Sequence, residues 1–383
     1  MDVDYYHSLA RSLVAGKGFV AQRGDRELPN IDRPPVYPVF LAGLIRLGGD
    51  RLGWILVIQC VLGAITACLT VVLALRWVDW KPAAAAGLLV ALDPMSVMRC
   101  LSMMPETLMT LLLLLTTCVL TFYRDSCWAW IAAGMLGGLV ALIRAFTVWI
   151  FVVILPVARW WRCRWCHLGM FAVIYTLIIS VWIVRNAVIT GHAFLSINSR
   201  QHWVSMAADC EARKTGHPFE QVWQEYQFRY GDLYFFNDRT SFERALEQYG
   251  RVGRNFVLAE PTFIARQEVI GPFRVMLAPG RANLQQAYKR VVPPTRWWPP
   301  LYSVALAVAW TLAAYGAIRF HRETALLTGL ILYVIVLAGP TTGSSRFRTM
   351  ISPMVAVLTV AGASAIRNSG FLSTTTAKSS IAE

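Results

Sequence analysis

The side chains able to do acid–base or anion chemistry are few and stand at the edges of apolar stretches. Two carboxylates, Asp2 and Asp4, open the chain in DVDYYHSLARSLVAGKGF, and a third, Glu106, begins PETLMTLLL. Arg33, Arg99 and Arg144 occupy similar boundaries, and Arg346 and Arg348 fall together in TTGSSRFRTMISP. A carboxylate can accept a proton from a hydroxyl, and the planar fork of a guanidinium suits phosphate. Plainer readings stand beside these. Asp2 and Asp4, two apart, would not share a helix face and by themselves read as solvated charges of a chain end. Glu106 in a first helical turn complements the helix dipole. Asp93 before Pro94 reads as a turn or kink. His7, His192 and His202 have no ligand spacing and read as surface or packing residues.

These residues must be positioned by a membrane-embedded frame. Hydrophobic residues make up 56% of the chain and charged residues 15%, too apolar a balance for a soluble globule of 383 residues. Fifteen Trp and thirteen Tyr suit repeated crossings of a bilayer interface. Apolar segments run over 52–75, 83–98, 108–123, 128–143, 147–158, 168–184, 300–318, 324–340 and 350–366, giving about nine spans. Arg144 separates two of them, because an Arg at the bilayer centre costs roughly 2.5 to 3.5 kcal/mol. This division puts ten basic residues in inner short loops against four in outer ones. It also places Asp2, Glu106 and Arg346 on the outer side, where topology gives no reason for a cation and a boundary role for Arg346 and Arg348 is weak.

The net charge of +14 is scattered, with no Lys/Arg run interleaved with aromatics, so nucleic acid is excluded as a partner. Cys163 and Cys166, followed by His167, form half of a metal-site pattern without a second half and read as reduced thiols. The expected organisation is a first outer loop with juxtamembrane helices (1–51), a membrane block (52–184), a large outer loop (185–297), C-terminal spans (298–367) and a disordered inner tail (368–383). The large loop, with 15 basic and 10 acidic residues over 185–296, shows helical patterning over 241–258 and 262–277 and reads as a cap.

The first loop carries a specific resemblance. An acid four residues before Tyr6, Ala10 four beyond it, then GKGF and RPPVYPVFLA resemble the first extracytoplasmic loop of GT-C glycosyltransferases. These include the bacterial relatives of protein O-mannosyltransferases and of the aminoarabinose transferase acting on lipid A. The resemblance implies an all-α polytopic bundle and makes Asp2 the catalytic acid position, with Asp4 less specific. It further implies that Glu106 matches the acid opening a later helix and that RFRxxxxP matches a basic segment before the last core helix. Members carry a membrane helix ahead of this loop, whereas this sequence opens directly on it, so the expected bundle lacks that helix.

The resemblance implies sugar transfer in a bacterial cytoplasmic membrane, with inversion, from a polyprenyl-phosphate donor to an extracytoplasmic lipid, glycan or protein. Asp2, Asp4 and Glu106 are the candidate catalytic acids, and Tyr6, Arg33, Arg144, Arg346 and Arg348 the candidate substrate-binding residues. No nucleotide cofactor is required, and the residues leave open a divalent cation, which some members use. A transporter or lipid flippase would instead carry ionisable residues at midplane and paired broken helices. An inactive, truncated homologue is the other alternative.

Overall fold

The computed structural model describes residues 5–23, 26–230, 239–280, 298–342 and 344–379. Asp2 and Asp4 therefore lie outside the described residues. The architecture is helical with one small hairpin. Helix α1 (Tyr6–Val14) leads into strands β1 (Val20–Arg23) and β2 (Arg26–Pro29), paired antiparallel with Val20 opposite Pro29, and then α2 (Val36–Gly48). The membrane block follows as α3 (Leu52–Ala74), α4 (Trp80–Ala91), α5 (Pro94–Cys100), α6 (Glu106–Tyr123), α7 (Cys127–Ala141), a 3-10 turn (Ala145–Ile150), α8 (Phe151–Trp160) and α9 (Trp165–Thr190). The large loop contains α10 (Asn198–Thr215), α11 (Phe219–Tyr230), α12 (Arg239–Ala259) and α13 (Pro261–Leu277). Helices α14 (Trp298–Arg319), α15 (Ala325–Thr342) and α16 (Arg348–Ser379) complete the bundle.

Among the described residues, five helical stretches are long and apolar enough to cross a bilayer: Leu52–Ala74, Glu106–Tyr123, Trp165–Thr190, Pro299–Arg319 and Ser345–Ser369. A sixth is the pair α4–α5, bent by 58°. The Asp-Pro step makes that bend: Pro94 opens α5, and Asp93 caps it by accepting from the Ser96 amide at 2.8 Å. The expected count of nine is thus not reached by length. Cys127–Ala141, Ala145–Trp160 and Ala325–Ala338 are apolar but shorter than a full crossing. The chain breaks at Arg144, which is extended between α7 and the 3-10 turn. The last helix is described as far as Ser379.

Small residues let the helices approach closely. Gly134 and Gly138 of α7 face Phe171, Ile174 and Ile178 of α9, where an added Cβ would crowd them. Tighter still is the crossing of α14 and α16: a Cβ on Gly362 would strike the Leu312 carbonyl, and one on Gly316 the Leu358 carbonyl. Backbone-to-backbone packing of this kind replaces the hydrophobic drive that lipid removes. Gly362→Val is expected to destabilise the bundle by about 1 to 3 kcal/mol through overpacking, read as a lowered Tm of the detergent-solubilised protein. Gly169, with open space around its Cβ position, is the control.

The first loop is clasped to the bundle from three sides. The Val36 amide donates to the Leu142 carbonyl at 3.1 Å, fixing the start of α2 against the end of α7. Buried Tyr37 donates to Gln59 of α3, whose amide donates to the Ser102 carbonyl at 2.8 Å. Arg185, near the end of α9, donates to the Asn30 and Phe19 carbonyls and lies over the Phe19 and Trp182 rings. Asp50 receives His7 at 2.6 Å and Arg11 at 2.5 Å, tying α1 to the turn before α3. Partial burial works against the Asp50 charge, but these two donors together hold its carboxyl below the ordinary range.

Candidate active site

Glu106 is fully buried in the first turn of α6. A carboxylate so placed is stable only if paired. Arg144 supplies the pair, donating through Nη2 to Oε1 at 2.7 Å. The helix break at Arg144 allows this, since an extended residue at the end of α7 can turn its side chain along the α6 terminus. Arg346 and Arg99 also act on the Glu106 charge. Arg99 is buried in the last turn of α5, and Arg346 belongs to the 3-10 turn Ser345–Phe347 before α16. Arg144 is thus the paired cation, and Arg346 and Arg99, from segments distant in sequence, add a favourable field at the carboxylate. Glu106 Oε2 has no hydrogen-bond partner among the described residues.

Phe347 supports the cluster from below: Arg144 and Arg346 lie 5.6 and 5.0 Å from its ring centroid. Thr110, one turn along α6, donates to the Glu106 carbonyl at 2.7 Å and reaches the Thr349 carbonyl at 3.3 Å. Beside the cluster lies a cavity of about 290 Å³ lined by Arg99, Thr107, Thr110, Thr349 and Ser352 on one side. Its other side is lined by Cys60, Gly63, Ala64, Val97 and Leu101, small or apolar residues of α3 and the α5 region. An anionic group held by arginines and an apolar chain held by the cavity could therefore belong to one molecule.

The remaining expected residues divide. Tyr6 is buried, packed edge-on against Tyr37 at 5.0 Å, with Arg33 over its ring at 5.5 Å. Arg33 pairs with Asp32 at 3.0 Å, a buried acid that sequence reasoning passed over. Its signal was the same DRPP step that drew attention to Arg33. Tyr5, immediately before α1, sits in the left-handed region at φ 60, a strained conformation for a non-glycine residue.

Arg348 is engaged with protein groups. Its guanidinium is buried and donates to the carbonyls of Val275, Met276 and Ala278 at 3.2, 3.2 and 2.9 Å. It also donates to the Tyr302 hydroxyl, which donates to Asp93. Arg348 therefore caps the C-terminus of α13, where carbonyls have no partners of their own, and pins it to α14. Asp93 likewise does more than kink the chain, because its second oxygen closes this relay. Among the described residues no group of three or more His, Cys, Asp or Glu could hold a metal ion.

The helical bundle, with the further helices α10 to α13 inserted in it, has a GT-C-like fold. Residues 32–184 match the family model described as dolichyl-phosphate-mannose-protein mannosyltransferase. Among solved structures, the chain superposes on the oligosaccharyltransferase AglB of Archaeoglobus fulgidus, bound to an inhibitory peptide and a dolichol-phosphate, with TM-score 0.51 and 14% identity over 98% of this chain and 47% of that one. The apo form of the A. fulgidus oligosaccharyltransferase gives TM-score 0.51 and 15% identity, over 98% of this chain and 48% of that one. ArnT of Cupriavidus metallidurans in its apo state gives TM-score 0.40 and 13% identity, over 93% and 71%. The chain spans about half the length of the oligosaccharyltransferase chains it matches. No curated protein matches it.

Proposed function

We propose that this protein is a membrane glycosyltransferase that moves a sugar from a polyprenyl-phosphate donor to an extracytoplasmic acceptor. The observation that carries this reading is the buried ion pair of Glu106 with Arg144 at the start of α6, beside an apolar cavity whose lining includes Arg99 and the next residues of α6, Thr107 and Thr110. Guanidinium groups of this kind suit the oxygens of a phosphate. The cavity suits the isoprenoid tail. The family match over residues 32–184 and the fold of the oligosaccharyltransferases support the same assignment.

In this reading the acceptor oxygen attacks the anomeric carbon from the face opposite the phosphate, inverting the configuration. The bond from that carbon to the phosphate oxygen breaks, and the phosphate leaves with the electron pair. Asp2 takes the acceptor proton, and Arg346 and Arg144 stabilise the charge that develops on the leaving group. Glu106 holds the arginines in place through its pairing with Arg144, and its second oxygen is available to a substrate hydroxyl. The site opens to the outer face of a bacterial cytoplasmic membrane, consistent with the charge asymmetry of the short loops.

The test is mass analysis of membrane lipids and glycans from cells with and without the gene. A glycan mass gained with the wild-type chain, together with accumulation of a sugar-loaded polyprenyl phosphate without it, is the expected result. Identical lipid and glycan profiles would overturn the assignment. A flippase would change the sidedness of a lipid without changing any mass, which separates that alternative.

A further inference from the structure

The cap holds a second cavity, of about 360 Å³, formed where α10, α11 and α12 meet. Its base is apolar and aromatic: Ala207, Val252 and Phe256, with the rings of Tyr226 and Tyr230 set edge to face at 5.4 Å. Its rim is polar, made by Glu211, Lys214, Asn255 and Glu260. The hydrogen-bonding capacity of that rim is only partly used. Lys214 pairs with Glu260, and one Glu211 oxygen accepts from Tyr226 at 2.6 Å. The Asn255 side chain, with two donors and an acceptor, has no partner among the described residues, and the second Glu211 oxygen is in the same position.

The chemistry of the lining selects the ligand. Two carboxylates disfavour an anion, and the Lys214 ammonium already bound at the rim disfavours a cation. A purely apolar ligand would leave the hydrogen-bonding groups of Asn255, exposed at the rim, and Glu211 unused. A neutral molecule with a weakly positive C–H face for the aromatic rings and hydroxyls for the carboxylate and amide meets every demand, and a saccharide has that pattern. We propose that this cap cavity is a saccharide-binding site that holds the glycan chain of the acceptor. The cap is joined to the first loop by Ile31, packed among Ile197, Phe242 and Tyr249, and by Ser196 donating to the Asp32 carbonyl at 2.9 Å. The cap that would hold the glycan thus packs directly on the segment that leads into Arg33. The proposal rests on the transferase reading and narrows its acceptor to a carbohydrate.

Saturation-transfer NMR on the full chain in lipid nanodiscs tests it, with mannobiose, N,N′-diacetylchitobiose and a Ser/Thr-containing peptide as probes. The expected result is saturation of the ring protons of a disaccharide, weakened about tenfold by Tyr230→Ala or Asn255→Leu at unchanged Tm. Neither disaccharide receiving saturation, saturation indifferent to both substitutions, or saturation of the peptide instead would each overturn the proposal. Binding of polyprenyl phosphate to the same samples keeps the two readings apart. Retained lipid binding without saccharide binding removes only the cap site, whereas loss of lipid binding by the wild-type chain removes the transferase reading.

Discussion

Asp2→Asn is expected to lower sugar transfer by about 10²- to 10⁴-fold, the range a positioned general base contributes, while leaving the protein folded and inserted. The amide keeps the size and hydrogen bonding of the side chain but cannot take a proton, so the substitution separates base catalysis from loop structure. Asp4→Asn serves as the comparison and should have the smaller effect, since only Asp2 stands four residues before Tyr6. Tyr6 is wedged between Tyr37 and Arg33, and α1 is tied to Asp50 through His7 and Arg11. Transfer by each variant is read from the glycan mass restored to cells lacking the gene, at equal protein level and Tm. Near-normal transfer by Asp2→Asn would remove the base assignment, and a larger loss in Asp4→Asn would move it there.

Much of the frame was legible in the sequence because lipid imposes simple rules. Long apolar runs gave the helices, the cost of an Arg at midplane gave the break at Arg144, and the helical periodicity of 241–258 and 262–277 gave α12 and α13 nearly to their ends. What stayed illegible has physical causes. Helix α10 buries two faces, Ala207 and Cys210 against α12 and Ala208 and Ala212 against α11, so it shows no single apolar stripe. The β1–β2 hairpin is only four residues on each side, too short for alternation to stand out. The pairing of Glu106 with Arg144 joins residues 38 apart and depends on how the ends of α6 and α7 meet, which no local pattern encodes.

The split between Arg346 and Arg348 is the sharpest case, and it sets the second large effect. In the sequence the two are equivalent outer cations, but residues two apart across the start of a helix point to different sides. Arg346 acts on Glu106 beside Arg144, whereas Arg348 turns to the end of α13 and Tyr302. Arg346→Ala is therefore expected to weaken polyprenyl-phosphate binding by roughly ten- to hundredfold, the worth of a charge-assisted hydrogen bond, with little change in Tm. Arg348→Ala should do the reverse in origin. It leaves the carbonyls of Val275, Met276 and Ala278 without their donor in a buried site, at a cost of about 1 to 3 kcal/mol for each group left unsatisfied. The expected readout is a large fall in Tm, with any loss of lipid binding following the fraction unfolded. Arg348→Lys should recover only part of the stability, because one ammonium cannot reproduce the fork that reaches three carbonyls and a hydroxyl. Thermal unfolding and native mass spectrometry with polyprenyl phosphate, on the same preparations, give both quantities. If Arg348→Ala kept its Tm and lost the lipid, while Arg346→Ala kept the lipid, the two arginines would exchange roles and the phosphate site would have to be rebuilt around Arg348.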